Sequence, residues 1–251
     1  MTAYLRGIGI FLIIIFLIII VGSMVMVMTG FADPPLPTPV GRVVWVKGTL
    51  KAIMQNKEQR SLQKASVIYL HDTLLTDSNS QAQIVFTDNS LMTFRSDTKF
   101  IIDQYAYKPN PKGNSVGKYI MNLLQGGFRT ITGLIAKRNT ADYEVNTPVA
   151  TIGVRGTDYA VVLAGGALKM VYYAGSPCLN NRKGAILCLS ADVPFGEVPS
   201  VGAQPTALTT KPTEFNQQLE IIPASISPFT SGGNNPNAGS NGPITNFCIT
   251  Q

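Results

Sequence analysis

This 251-residue chain is short of charge and of histidine. Only 14% of its residues are Asp, Glu, Lys or Arg, against roughly 25% in ordinary soluble domains, which points to membrane insertion or export. His71 is the one histidine, so any Ser-His-Asp, Cys-His or multi-histidine metal arrangement would have to use that single ring. The formal net charge of +6 is a mild excess, weaker than the clustered Lys and Arg of a nucleic-acid binder. A phosphate-cradling loop ahead of a helix is missing, because Gly153 and Gly156 lie between strand-like runs with no Lys-Ser or Lys-Thr following. Carboxylates at a spacing suited to glycoside hydrolysis are missing as well. The sequence therefore predicts no catalytic, cofactor-binding or metal site, and a protein that is not an enzyme.

What is present begins with an apolar run. Residues 8–27 are almost unbroken Ile, Leu, Phe, Val and Met, interrupted by Gly9, Gly22 and Ser23. About 20 residues at a rise of 1.5 Å match a hydrocarbon core of about 30 Å. Arg6 is the only charge ahead of the run and Arg42 the next basic residue after it. The positive-inside rule then places the amino terminus in the cytoplasm and the rest across the inner membrane. Two readings stay open: an uncleaved signal anchor through residues 8–28, or a signal peptide removed after Ala32. Residues 1–32 form this segment, and residues 33–40, with Pro34, Pro35, Pro37 and Pro39, form a stiff extended spacer.

Three cysteines suit an oxidising compartment. Cys178 and Cys188 flank a polar loop with turn residues between two apolar stretches, so a disulfide between them would close a short hairpin. Cys248 is left over, and the pairing is open at this stage.

From residue 41 to about residue 200 short alternating runs predominate. Val43 and Trp45, then Ala82, Ile84 and Phe86, Met92 and Phe94, Phe100 and Ile102, and Tyr143 and Val145 read as half-buried strands. Asp88-Asn89-Ser90, Ser96-Asp97, Gly126-Gly127, Pro148 and Gly165-Gly166 supply the turns. One short helix is predicted over residues 116–125, where Tyr119, Ile120, Leu123 and Leu124 recur at helical spacing and Gly126 could cap the end. The fold class is all-β, an irregular β-helix-like or sandwich domain. Residues 201–251 are poor in charge and rich in Pro, Gly and Asn, and read as a largely disordered tail. Within that tail, Leu219-Glu220-Ile221-Ile222 is a candidate docked piece.

Two stretches carry a family likeness. Gly41-Arg42-Val43-Val44-Trp45-Val46-Lys47-Gly48, with the run from Ser80 to Ser90, resembles the first half of the FecR domain. Gly126-Gly127-Phe128-Arg129 and the stretch from Tyr143 to Tyr159, holding Gly153-Val154-Arg155-Gly156-Thr157, resemble its second half. His71-Asp72 stands where the family usually has Gly-Asp, and Asp88-Asn89-Ser90 where it has Asp-Gly-Ser. Asn tolerates left-handed backbone nearly as well as Gly, so the second turn should survive. The resemblance implies a bacterial protein with a periplasmic β domain and a non-catalytic role in protein–protein interaction, in signalling or in envelope assembly. The family's best-known members carry a cytoplasmic sigma-factor-binding domain ahead of the membrane helix; only about seven residues precede the apolar run here, and the anti-sigma role is not carried over. Glycan or peptidoglycan binding and transmembrane regulation of sigma-factor activity are the alternatives.

Within the Gly153–Thr157 motif, Arg155 reads as a structural clamp, with Asp158 as its counter-ion; recognition of a carboxylate or phosphate is the second reading. His71-Asp72 is rejected as a catalytic dyad because neighbours in an extended strand face opposite ways. Lys137-Arg138 and Arg182-Lys183 read as solvated turns, with contact to an anionic envelope polymer as the alternative. The tyrosines Tyr105, Tyr107, Tyr172 and Tyr173 read as core edge rather than carbohydrate platforms.

Overall fold

The alternation in the sequence is converted into strands through most of the described residues between Pro39 and Ala207. A computed structural model describes residues 14–19, 37–108, 116–136, 142–216 and 219–222. The chain divides into two units, Met1–Pro37 and Thr38–Gln251. In the first, residues 14–19 are helical and their side chains exposed. No helix among the described residues is long and apolar enough to cross a membrane. The remainder of the predicted span 8–28 and the candidate cleavage point at Ala32 lie outside the described residues.

The second unit is built from strands β1 (Pro39–Lys47), β2 (Leu50–Ile53), β3 (Gln59–Leu62), β4 (Val67–Tyr69), β5 (Thr73–Thr76), β6 (Gln81–Phe86), β7 (Leu91–Phe94), β8 (Lys99–Lys108) and β9 (Val116–Ile131). It continues with β10 (Tyr143–Asn146), β11 (Thr151–Gly153), β12 (Asp158–Ala164), β13 (Ala167–Ala174), β14 (Cys178–Asn180), β15 (Ile186–Cys188), β16 (Phe195–Val198) and β17 (Thr206–Ala207). The first sheet runs in the order β4-β1-β6-β7-β9-β12-β13-β16-β17. The second runs β3-β2-β5-β8-β9-β10-β11-β14-β15. All pairings are antiparallel except β9 with β10.

Strand β9 belongs to both sheets. Residues 116–125 pair with β8, and residues 119–122 with β10, whereas residues 126–131 pair with β12, and residues 128–131 also with β7. The change of sheet falls at Gly126, whose φ of +80° is a left-handed conformation that favours glycine. A Cβ there would lie 2.6 Å from the Asp97 carbonyl oxygen. The Thr98 hydroxyl staples the corner, accepting the Gly127 N–H at 3.1 Å and donating to the Arg95 carbonyl at 2.9 Å. The predicted helix over residues 116–125 is thus corrected to strand. Tyr119, Met121 and Leu123, all fully buried, also recur at period two. Pairing on both flanks of β9 lets tertiary contact override the helical spacing. Among the described residues of the second unit, a 3₁₀ turn stands instead at Thr213–Phe215.

The inner faces meet in one core. Tyr119 stacks on Tyr143 with ring centroids 4.3 Å apart, and Phe100 meets Phe128 edge-on at 5.5 Å. The hydroxyls of Tyr143 and Tyr159 lie 3.1 Å apart, joining the two layers through their centre. A bulge between Val43 and Trp45 breaks the simple alternation of β1. Val43 enters the core, while the Trp45 indole N–H donates to Gln83 Oε1 at 3.0 Å. Buried Asp88 receives the backbone N–H of Ser90 at 3.1 Å and its hydroxyl at 2.6 Å. Burial raises the Asp88 carboxyl above the ordinary range, while the hydrogen bonds of Ser90 oppose the rise.

Two turns occupy the positions where glycine was expected from the resemblance. Asn89 has φ +66° and His71 φ +68°, which is the conformation that a glycine would relieve. The His71 turn, rather than an extended strand, separates the imidazole from Asp72; the Asp72 carboxylate goes instead to Arg60 at 2.6 Å. His71→Gly is expected to leave stability unchanged or raise it by up to about 1 kcal/mol, and His71→Val to lower it by about 1–2 kcal/mol. Urea midpoints read from Trp45 fluorescence check this; a lower midpoint for the glycine variant contradicts the argument. Part of the segment from residue 201 lies on the body. β17 extends the first sheet, and Phe215 and Leu219 pack on its outer face against Ala160, Val162 and Val171. Residues 223–251 lie outside the described residues.

Candidate functional site

The Gly153–Thr157 motif is the point where the chain passes from the second sheet to the first. β11 ends at Gly153 and β12 starts at Asp158, so the link is only four residues long. Val154 is buried in the core. Gly156 has φ +58°, and its carbonyl oxygen sits so close to Gly175 that a Cβ on Gly175 would be 2.2 Å away. Thr157 is held from both ends: its N–H donates to the Thr132 hydroxyl at 2.7 Å, and its carbonyl accepts the Thr132 N–H at 2.9 Å.

Arg155 is exposed and, among the described residues, makes no hydrogen bond or ion pair. This corrects the expectation of a clamp countered by Asp158. The Asp158 carboxylate is gripped instead by Arg129, with Nε donating at 3.0 Å and Nη2 at 2.8 Å. The same guanidinium lies 4.0 Å from the centroid of the Tyr173 ring, and the charge of Arg129 opposes the rise that burial causes in the Tyr173 hydroxyl. The two motif arginines thus have separate duties. Arg129 ties β9 to the start of β12, and Arg155 faces solvent. A second clamp was missed in the sequence because its partners are distant. The Arg182 guanidinium donates to the Thr147 carbonyl at 2.7 Å and to the Thr151 hydroxyl at 3.0 Å, fastening the β14–β15 turn to the β10–β11 turn. Lys137-Arg138 lies outside the described residues.

The disulfide joins Cys178 and Cys188, which face each other across the β14–β15 hairpin. On the other side Cys178 pairs with Gly153 of β11, and Gly153 with Glu144 of β10. The four residues form one cross-strand row, so strand pairing brings the motif and the disulfide side by side. Over this row lies an open cavity of about 440 Å³, lined by Glu144, Gly153, Arg155, Asn180 and Ile186 with the two cysteines. A Cβ on Gly153 would meet nothing within 4 Å, so its face is clear. Ile186 is 61% exposed on β15. Among the described residues β15 pairs only with β14, leaving its outer edge open.

The chemistry of this groove is that of recognition. It offers a guanidinium fork, a carboxylate, an amide, an apolar side chain and a strand edge, all on a floor braced by a covalent bond. His71, the sole imidazole, does not line it. Among the described residues no three His, Cys, Asp or Glu side chains gather as a metal-ligand group.

Residues 72–176 match the family described as FecR protein, a span that includes both the Asp88 turn and the Gly153–Thr157 crossover. No curated protein matches the chain. A solved structure described as an anti-sigma factor from Parabacteroides distasonis aligns with a TM-score of 0.40 and 11% identity. The alignment covers 53% of this chain and 57% of that one, so this chain spans little more than half the length of that relative.

Proposed function

We propose that this chain, whose residues 72–176 form a FecR-family region, is a non-catalytic module for protein–protein interaction at the bacterial cell envelope, acting in signalling or in envelope assembly. In this reading the β domain lies on the periplasmic side, and the apolar amino-terminal segment ties it to the inner membrane or directs its export. The observation that carries the reading is Arg155, which has no partner among the described residues, beside the open edge of β15. A motif arginine that holds nothing among the described residues is available to a partner's carboxylate, and the strand edge can pair with a partner's extended backbone. The disulfide-closed hairpin fits an oxidising compartment.

A photo-crosslinking residue placed at Arg155 or Ile186 in intact cells tests this. The expected result is one protein adduct common to both positions and absent when the crosslinker replaces exposed Lys57. Arg155→Glu should weaken the Ile186 adduct at least fivefold. Binding of the chain to isolated cell wall, with no protein adduct at either position, sinks the reading and favours a glycan-binding module.

The same arginine separates structure from recognition. Arg155→Ala is expected to change unfolding free energy by less than about 0.5 kcal/mol. Arg182→Ala should lose about 1.5 kcal/mol, because it strands carbonyls and the Thr151 hydroxyl that a charged group now satisfies. A large destabilisation by Arg155→Ala in urea titrations would restore the clamp.

A further inference from the structure

The outer face of the first sheet carries polar side chains that solvent would ordinarily reach. Gln83 on β6 is fully buried and Thr93 on β7 is 1% exposed. What covers them are two pieces of the chain's own later part, residues 212–216 and 219–222, separated from them by well over a hundred residues. Gln83 reads the backbone of Ile222 with both ends of its amide: Nε2 donates to the carbonyl at 2.9 Å, and Oε1 accepts the N–H at 3.0 Å. The Thr93 hydroxyl donates to the Glu220 carbonyl at 3.3 Å, and Arg95 Nη1 to the Glu214 carbonyl at 3.4 Å. At the other end, Lys169 of β13 meets the Glu214 carboxylate at 2.6 Å. Between these points Phe215 and Leu219 seat in an apolar patch made by Ala160, Val162 and Val171, edged by Phe195.

The contacts therefore run from β13, across β12 and β9, to β7 and β6. The recognition has two parts. Backbone groups are read by Gln83, Thr93 and Arg95, which accept any sequence. Specificity comes from two apolar side chains four positions apart, with a carboxylate just ahead of the first. The covering piece adds no strand to either sheet, and the inner-face core is built without it. Removing it would leave Gln83 and Thr93 free to hydrate and one modest apolar patch open.

We propose that the outer face of the first sheet is a peptide-recognition site occupied in cis by residues 212–216 and 219–222, and that its second occupant is a segment of a partner protein that presents one carboxylate and two apolar side chains at the same spacing. The resident segment acts as a built-in competitor, and the site is distinct from the groove at Arg155. A partner gains access in proportion to how often the resident segment lifts, so affinity in the intact chain is reduced by the closed fraction.

The test uses the full-length chain in detergent and a fluorescein-labelled peptide with the sequence of residues 212–222. Phe215→Asp with Leu219→Asp releases the resident segment without altering the sheet. Fluorescence anisotropy is expected to show the peptide binding this variant at least tenfold more tightly than the unmodified chain. Adding Gln83→Leu to the released variant should weaken binding at least fivefold. Equal binding to released and unmodified chains overturns the proposal. So does global unfolding of the released variant, seen as loss of its near-UV circular dichroism, because the segment would then be part of the core. Hydrogen exchange on the unmodified chain gives an independent reading. The Ile222 amide is expected to be at least 100-fold less protected than those of Tyr119 and Phe128, and equal protection overturns a displaceable segment. If the unmodified chain dimerises by light scattering and the released variant does not, the second occupant is another copy of this chain, and the foreign-partner assignment falls.

Discussion

Tyr119→Ala is expected to cost about 3–5 kcal/mol, the range for deleting a large buried ring, whereas Tyr119→Phe should cost nothing and gain up to about 1 kcal/mol. The ring is fully buried, stacked on Tyr143 at 4.3 Å and set edge-on to Phe86 at 5.5 Å. Its removal leaves a cavity lined by aromatic faces that cannot collapse, since each is fixed by its own strand. The hydroxyl is a different matter. It is buried and no hydrogen bond of good geometry reaches it, the Tyr143 hydroxyl being a neighbour that only opposes the rise burial causes, and a poorly satisfied polar group inside a core is a cost that phenylalanine removes. Urea unfolding followed by Trp45, the only tryptophan, reads both variants. A phenylalanine variant less stable than the parent would show that the hydroxyl does bond in solution.

Arg60→Ala is expected to lose about 3 kcal/mol, the scale of breaking a buried ion pair from one side. Asp72 is 1% exposed and receives the Arg60 guanidinium at 2.6 Å and the Tyr69 N–H at 2.8 Å. Arg60 also donates to the Val67 carbonyl at 3.3 Å and lies 4.8 Å from the centroid of the Tyr69 ring. Without the arginine, Asp72 keeps one backbone donor for a buried negative charge. Adding Asp72→Asn to Arg60→Ala should therefore recover part of the loss, since it removes the unpaired charge. A double-mutant cycle checks this. Losses that simply add would show that the two side chains do not depend on each other.

The strands most legible in the sequence are those with one wet and one dry face. Tyr143 and Val145 alternate with Glu144 and Asn146 and enter the core as alternation requires, and Phe100 and Ile102, flanked by Lys99 and Asp103, do the same. The turn at Asn89 was legible for the same kind of reason, because asparagine is among the few residues that accept φ +66°. Residues 116–125 were not, since Tyr119, Leu123 and their neighbours satisfy the helical and the strand period together. Only the pairing of β8 and β10 on either side breaks that tie. At the candidate site the motif and the cysteine pair were both legible, but their adjacency was not. The row from Glu144 through Gly153 and Cys178 to Cys188 is set by strand order, and strand order leaves no mark on a local stretch of sequence. Arginine roles were illegible for a related reason. Asp158 is three residues from Arg155, yet its partner is Arg129, twenty-nine residues away. The docking of Leu219 was legible in the short apolar run from Leu219 to Ile222, but that of Phe215 was hidden by composition, because a Pro-rich and Gly-rich region carries no periodicity to betray an isolated contact.

The passage of β9 through both sheets has a mechanical consequence. A strand whose two halves are the middle members of two layers acts as a shared spar, and neither layer can be peeled off while the other stays whole. Heat or force should therefore dismantle the body in one event rather than two. A partner pulling on the edge at β15 would load the opposite layer through that spar before any strand came away.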